Sequence, residues 1–441
     1  MISDFFQLKE KKTSVRIEIV AGITTFLTMA YIIFAQPNIL SPTGMDRTAL
    51  IAVTCIVSAV ATIITGIVAN APIVMAPGMG LNAFFASLVV LGKMDWQTAL
   101  GAVFLSGLFF LILTLLGLRK KIVEAIPASL VSAIAVGIGL FITFMGLKDL
   151  GLIVRNEITF VSAGPMTLKV LIGLFGLLVM IFLETKKVRG SLLIGIVFAT
   201  LAAGIFGQIE LPEKFVSFNV DISAVAFRLD IVGAIKWGFV GSIFTLMFID
   251  MFDSVGTLVA CCHQANMVDE KGNITGLDRL LGIDAVATMI GALLGSSTTT
   301  SYIESAAGIE QGGRSGLTSV VTGLLFLLAL LFVPIVGIVP AYATAPALIM
   351  VGLFMIKEVK KIDFVNLEQA FPAFIIMVMI ALSYSISTGL AFGFISFALI
   401  KTVSGKVREV KPAMWIIAIL SILFLTLDRL PDIITWLKNL T

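Results

Sequence analysis

Long apolar runs alternate with short polar connectors along most of this chain. Apolar segments lie near 17–36, 48–69, 97–117, 127–147, 167–183, 191–208, 232–260, 277–295 and 316–339. Shorter or interrupted ones lie near 73–91, 302–312, 343–356, 370–386 and 388–403, and a last apolar run covers 413–428. About 20 apolar residues cross the hydrocarbon core of a bilayer as a helix. The pattern therefore predicts an all-α polytopic membrane protein with fourteen segments between 17 and 403. The run at 413–428 exceeds an even number of crossings and reads as a half-helix or interfacial helix, with a fifteenth span as the rival.

Charge tests the count. LRKK (118–121), ETKKVRG (184–190), KEVKK (357–361) and KTVSGKVREVK (401–411) are basic connectors. With a cytoplasmic N-terminus they follow segments four, six, twelve and fourteen, so all four land in the cytoplasm, as the positive-inside rule requires. The acidic connector at 209–230, with Glu210, Glu213, Asp221 and Asp230, lands outside. The chain opens on the basic run KEKKTSVR (9–16) and passes straight into an apolar segment, which predicts no cleavable signal peptide.

Composition agrees. Of 441 residues, 59% are hydrophobic and 13% charged, with a mean hydropathy of +1.09. Soluble globular chains are about 45–50% apolar and about 25% charged. The net charge of +3 adds little. Cys55, Cys261 and Cys262 are an odd set without metal spacing, which argues against disulfides and zinc. A single histidine, His263, removes histidine metal sites and Ser/His/Asp triads. The expectation is no metal, no cofactor, no catalytic site and no nucleic-acid partner.

Two halves of the chain echo each other. EIVAGITTFLTMAYIIF (18–34) resembles GFVGSIFTLMFIDMF (238–252), and IPASLVSAIAVGIGLF (126–141) resembles TAPALIMVGLFM (344–355). The interrupted segments at 72–91 and 297–312 hold third place in each half. Seven segments per half is an odd number, so the second copy runs inverted. Inverted repeats with paired broken helices mark secondary transporters, and the broken pair points to the binding site.

Polar residues concentrate there. In NAPIVMAPGMGLNAFF (70–85), Pro77, Gly78 and Gly80 are expected to stop a helix. In STTTS (297–301), β-branched Thr298, Thr299 and Thr300 favour an extended stretch. The two stretches are expected to pair as a short ribbon, each opening a half-helix. Their backbone cannot face lipid, so it must line a cavity or pair with protein.

FIDMFDSVG (248–256) places Asp250 and Asp253 three apart on one helical face, and Asp284 and Glu304 are further acids inside apolar segments. A charge at the bilayer centre costs about 2.5–3.5 kcal/mol on insertion scales, so such acids are natural proton carriers. Gln36 and Asn82 each offer a donor and an acceptor. With Thr300 and the aromatics Phe84, Phe85 and Tyr302, the set suits a flat heterocycle bearing several N–H and C=O groups.

These stretches resemble a known family. GITTFLTMAYIIFAQPNIL (22–40), NAPIVMAPGMGLNAFFA (70–86), FIDMFDSVGTL (248–258), SSTTTSYIESAAGIEQGGRSGLTS (296–319) and YSISTGLAFGFISF (384–397) are similar to the purine nucleobase permeases of the azaguanine-resistance-like branch of the nucleobase–ascorbate transporter superfamily. The resemblance implies a uracil-permease-like fold of two inverted seven-segment repeats. A core domain would comprise 17–117 and 232–339, and a gate domain 122–208 and 341–430. Gln36, Asn82, Phe84, Asp250, Thr300, Tyr302 and Glu304 would bind the base. Asp253, Glu304 and Asp284 would carry the coupling proton. Glu304, where relatives using uric acid or xanthine often carry Gln, favours hypoxanthine, guanine or adenine. The implied activity is proton symport of a purine across the cell membrane by an elevator-like core movement, with a homodimer through the gate. Sodium coupling is the near alternative. An anion channel or exchanger on the same fold and an intramembrane aspartate enzyme are the alternatives of other classes.

Overall fold

The computed structural model describes residues 2–117, 126–210, 212, 214–217, 220–236, 240–267, 274, 276–423 and 425–426. The connector LRKK, Glu213 and the end of the run at 413–428 lie outside the described residues.

The chain is mostly helical. Among the described residues, nine helical stretches are long and apolar enough to cross a membrane, and four shorter apolar helices accompany them. Polar residues in the connectors set where many of these helices begin. Ser14, Asp46, Asp95, Thr167 and Ser385 each accept a bond from a first-turn N–H of α1 (Val15–Met29), α3 (Arg47–Ile64), α5 (Trp96–Leu115), α7 (Leu168–Thr185) and α15 (Ile386–Val403). Such caps satisfy donors that a helix leaves unpaired at its start. Between these helices run α2 (Ile32–Leu40), α4 (Met79–Val90), α6 (Ala128–Leu150) and α8 (Ser191–Ile205). The second half supplies α9 (Val240–Gln264), α10 (Leu277–Leu294), α11 (Ser305–Glu310), α12 (Gly316–Ala329), α13 (Ala341–Ile356), α14 (Leu367–Leu382) and α16 (Pro412–Leu423).

The helices pack as two groups. In the first, α12 lies against α1 and α3, α10 against α3 and α5, α9 against α5, and α2 against α3 and α4. In the second, α6 lies against α13 and α14, α14 against α15, and α7 against α8 and α13. The groups meet where α2 touches α13, α4 touches α6, α9 touches α15 and α1 touches α8. Leu171, Phe175, Leu178 and Phe182 make an exposed apolar stripe on α7, the face a helix presents to lipid.

Several segments depart from the hydropathy reading. The first is bent rather than continuous: α1 stops at Met29 and α2 starts at Ile32, with Ala30 and Tyr31 between. The eighth opens with a separate short helix, Ile231–Ala234, before α9. The eleventh ends its regular helix at Ala329 and continues through a 3-10 turn into Val333–Gly337, where Pro334 restarts the helix. Gly80 does not break a helix; it lies in the first turn of α4. A Cβ there would come within 2.6 Å of Ile138 Cγ2 on α6, so the glycine permits close helix packing. Two antiparallel strands, Ile153–Asn156 and Phe160–Ala163, form a hairpin between α6 and α7 that hydropathy does not announce. In the last apolar run, α16 buries Met414, Ile417, Ala418 and Ser421 on one face and exposes Ile416, Ile419 and Leu423.

Candidate substrate site

Two interruptions meet at the centre of the first helical group. Strand βa (Met75–Pro77) precedes α4, and strand βb (Thr299–Ser301) precedes α11. They pair antiparallel, with Met75 opposite Ser301, Ala76 opposite Thr300 and Pro77 opposite Thr299. Gly78 N–H to the Thr298 carbonyl (3.0 Å) and Tyr302 N–H to the Val74 carbonyl (2.9 Å) extend the ladder at both ends. Each broken helix thus satisfies its backbone on the other, across more than two hundred residues of sequence. Thr288 of α10 fastens the ribbon, accepting from Thr299 N–H (3.2 Å) and donating to the Thr299 carbonyl (3.0 Å).

The two amides anchor on the serines just before βb. Gln36, buried on α2, donates through Nε2 to Ser296 Oγ at 2.7 Å. Asn82, buried in the first turn of α4, accepts from Ser297 Oγ. Gln36 Oε1 and Asn82 Nδ2 have no hydrogen-bond partner among the described residues, nor do Asp250 Oδ1 and the hydroxyls of Thr298, Thr299 and Ser301. Buried polar atoms are rarely left so, and a cluster of them is a surface prepared for hydrogen bonds.

The four acids have unlike surroundings. Asp250 is fully buried on α9, with Thr288 Oγ1 donating to its Oδ2 at 3.4 Å. Asp284, fully buried one turn before Thr288 on α10, is an electrostatic neighbour of Asp250. Asp253 is closely surrounded by protein, with Thr300 in hydrogen-bonding range, yet its side chain is exposed. Accessible although closely surrounded, it lines a recess. Glu304, at the junction of βb and α11, is half-exposed and is an electrostatic neighbour of Asp253.

The aromatics divide. Tyr302 is buried and its hydroxyl donates to the Pro77 carbonyl, so its polar end serves the ribbon. Phe84 is wholly buried in the apolar core beside Phe85. A third aromatic was not singled out from sequence. Tyr31, at the bend between α1 and α2, donates to Glu304 Oε1 at 2.7 Å. The signal that could have found it is a phenol inside an apolar segment, five residues before Gln36. Thr288 was missed for a simpler reason: a single hydroxyl in a helix usually bonds its own backbone. Ser296 and Ser297 lie in the extended stretch before βb, where nothing local announces partners as distant as Gln36 and Asn82.

The recess is open on one side. Asp253, Gly256, Ala260 and His263 form an exposed stripe down α9. It ends beside a cavity of about 480 Å³ lined by Lys11, Lys12, Ala265, Met267 and Arg314, next to the N-terminal residues. Toward the start of α9, Phe244 stacks on Phe248, Phe248 packs on Phe252, and Phe248 meets Phe394 of α15 edge-on at 5.4 Å. Among the described residues no group of three or more His, Cys, Asp or Glu is placed to hold a metal, and the three cysteines are buried and free.

Two helical groups around a polar site at paired broken helices define a multi-pass membrane transport protein. Its fold is shared with solved transporters. The transmembrane domain of a cyanobacterium bicarbonate transporter, BicA, superposes with a TM-score of 0.64 at 17% identity, over 84% of this chain and 96% of that one. Murine SLC26A9, an anion transporter in the inward-facing state, gives 0.65 at 11% identity, over 89% of this chain and 69% of that one. The chain belongs to the permease family, whose pattern matches residues 16–392; it is a permease and not an enzyme. Full-length relatives include a putative permease of Methanocaldococcus jannaschii, 45% identical over 96% of this chain and 97% of that protein. The adenine permease AdeP of Escherichia coli is 41% identical over 96% of this chain and 95% of its own length. The guanine/hypoxanthine permease PbuG of Bacillus subtilis is 42% identical over 95% and 98%. These relatives agree with the azaguanine-resistance-like resemblance seen in the sequence motifs.

Proposed function

We propose that this chain takes up purine nucleobases across the cell membrane by proton symport. The observation that carries the reading is the convergence of two anchored amides and three carboxylates on one strand-interrupted site, with polar atoms still free to bond a ligand. A purine presents N–H donors and ring acceptors around a flat edge. Carboxylates accept the first, and amides answer either. The adenine and guanine/hypoxanthine permeases among the relatives point to the same class of substrate. Three carboxylates stand where an anion would need a cation, which disfavours an anion exchanger despite the shared fold.

The cycle we propose starts with the recess open outward. An acid, Asp253 or Glu304, takes a proton, with Asp284 beside Asp250 as a further candidate. The base enters, Glu304 and Asp250 accept its N–H groups, and Gln36 and Asn82 hold the opposite edge. Neutralising the acid lowers the cost of carrying the site past the second helical group. In this reading 17–117 with 232–339 form the moving core and 122–208 with 341–430 the gate, in fourteen segments of two inverted repeats. The N-terminus is cytoplasmic, so the recess opens inward here and the phenylalanine cluster closes the outer side. Two copies pair through the gate.

Uptake of labelled adenine, guanine and hypoxanthine, with and without a proton uncoupler, tests this. Accumulation that the uncoupler abolishes is the expected result. Accumulation that follows sodium instead would replace the coupling ion, and no uptake of any purine would end the reading. Competition by unlabelled bases ranks the substrates.

A further inference from the structure

Glu304 is held by one side chain. The Tyr31 hydroxyl donates to its Oε1 at 2.7 Å, and its own backbone N–H is the only other protein donor that reaches it among the described residues. Tyr31 is itself only 1% exposed, packed at the bend between α1 and α2. The neighbouring phenol, Tyr302, is not available for this task because its hydroxyl is committed to the Pro77 carbonyl.

We propose that Tyr31 is a positioning residue of the transport site, which fixes the orientation of Glu304 and links the proton on Glu304 to what Glu304 offers the base. This rests on the purine-symport reading above. An ionised carboxylate has about four acceptor sites and no donor. With one of them bound to Tyr31, one orientation of the group is favoured, and acceptor sites remain for a ligand on the side where Glu304 is part-exposed. A phenol both donates and accepts. It donates while Glu304 is ionised and can accept once the carboxyl is protonated. The pair therefore persists in both states while the free side of Glu304 changes from pure acceptor to possible donor. The other titratable groups facing Glu304 are Asp253 and Cys261 of α9 and Tyr302 on its own element. Of these, Asp253 shares the open recess with it. The bend at Ala30–Tyr31 gains a purpose: it brings the phenol to Glu304 while α2 carries Gln36 to Ser296.

Tyr31→Phe keeps the buried ring and deletes only the hydroxyl, so packing is preserved. A hydrogen bond to a charged group accounts for about a ten- to hundredfold change in an equilibrium. Uptake of the transported purine is measured over concentration and pH for the wild type, Tyr31→Phe, Glu304→Gln and the double variant. The expected result for Tyr31→Phe is a KM raised about tenfold or more, a maximal rate changed much less, and a displaced pH profile. In the Glu304→Gln background the same substitution is expected to add no further rise and no displacement. If Glu304→Gln does not transport, the comparison is read from purine-induced thermal stabilisation of the four purified proteins. A wild-type KM and pH profile in Tyr31→Phe overturns the proposal, as does an equal effect in both backgrounds, which would mark a packing role. A wild type that takes up no purine fails the underlying reading instead, and the proposal with it.

Discussion

Glu18, near the start of α1, caps a helix that begins three hundred residues later. Its Oε2 accepts from Thr318 Oγ1 at 2.6 Å and from the Thr318 and Ser315 N–H groups at 3.2 Å, and its Oε1 accepts from Arg314 N–H at 2.9 Å. The carboxylate is fully buried. It survives there because the free N–H groups at the start of α12 supply the donors and the positive end of the helix dipole supplies the field. Glu18→Ala should leave those buried N–H groups without partners and cost about 2–4 kcal/mol. Glu18→Gln, which keeps one acceptor oxygen, should cost less. Thermal unfolding of the purified variants ranks them. If both melt like the wild type, the cap is dispensable.

The same corner holds the tightest backbone approach in the molecule's first group. A Cβ on Gly316 would collide with the Gly66 carbonyl, and one on Gly66 with the Gly316 carbonyl. Asn70, in a left-handed conformation, completes the join: its Oδ1 accepts from Gly316 N–H at 2.8 Å. Backbone cannot rotate aside as a side chain does, so Gly316→Ala should fall at or above the upper end of the usual 1–3 kcal/mol range for overpacking. The expected outcome is a loss of monodisperse protein on size exclusion after detergent extraction. Gly256→Ala is the control, because a Cβ there meets nothing within 4 Å. Equal behaviour of the two variants would refute the close-approach argument.

What sequence could and could not reveal follows from range. The STTTS and MAPGMG stretches announced themselves because prolines, glycines and β-branched hydroxyls inside apolar runs have local consequences, and the structure pairs them as strands. Gln36, Asn82, Asp250, Asp253, Asp284 and Glu304 stood out because polar residues are costly in oil. The surroundings of each were not legible. Asp250 and Asp253 share a helix and differ by one turn, yet one is sealed against Thr288 and the other opens to a recess. Glu18 was not singled out at the edge of its apolar segment, because its partners are in another span. Gly80 read as a helix breaker because only the position of Ile138 shows it to be a packing glycine. The hairpin at 153–163 was hidden by its low hydropathy contrast with the neighbouring connector.

Asp253 and Glu304 should separate under substitution. Glu304 faces the open recess beside the ribbon, so Glu304→Ala removes an acceptor from the base itself and should abolish binding. Asp253→Asn keeps a polar side chain of the same shape beside Thr300 but can no longer take up and release a proton. It should retain exchange of labelled for unlabelled purine while losing uphill accumulation. Counterflow in vesicles measures the first and uptake driven by a pH gradient the second. Accumulation that remains pH-driven in Asp253→Asn would remove Asp253 from the coupling path and leave Glu304 or Asp284 to carry the proton.

A single side-chain bond ties the two helical groups where α2 meets α13: Asn38 Nδ2 donates to Thr344 Oγ1 at 2.6 Å. If one group slides past the other during transport, this bond breaks once per cycle. Thr344→Val removes the acceptor and keeps the volume. Asn38 is half-buried, so its amide can turn to water, and the net loss should be about 1 kcal/mol. That energy belongs to one conformational state and not to the bound base. The expected effect is therefore a several-fold change in maximal uptake rate, with the KM for the purine within about twofold. The direction of the change reports which state the bond stabilises. A faster rate means that the state seen here, with its recess open toward the N-terminal side, is the resting one. A KM change at constant rate would instead mean that α2 responds to the loss of Thr344 by moving Gln36, which shares the helix with Asn38 and reaches Ser296 beside the ribbon.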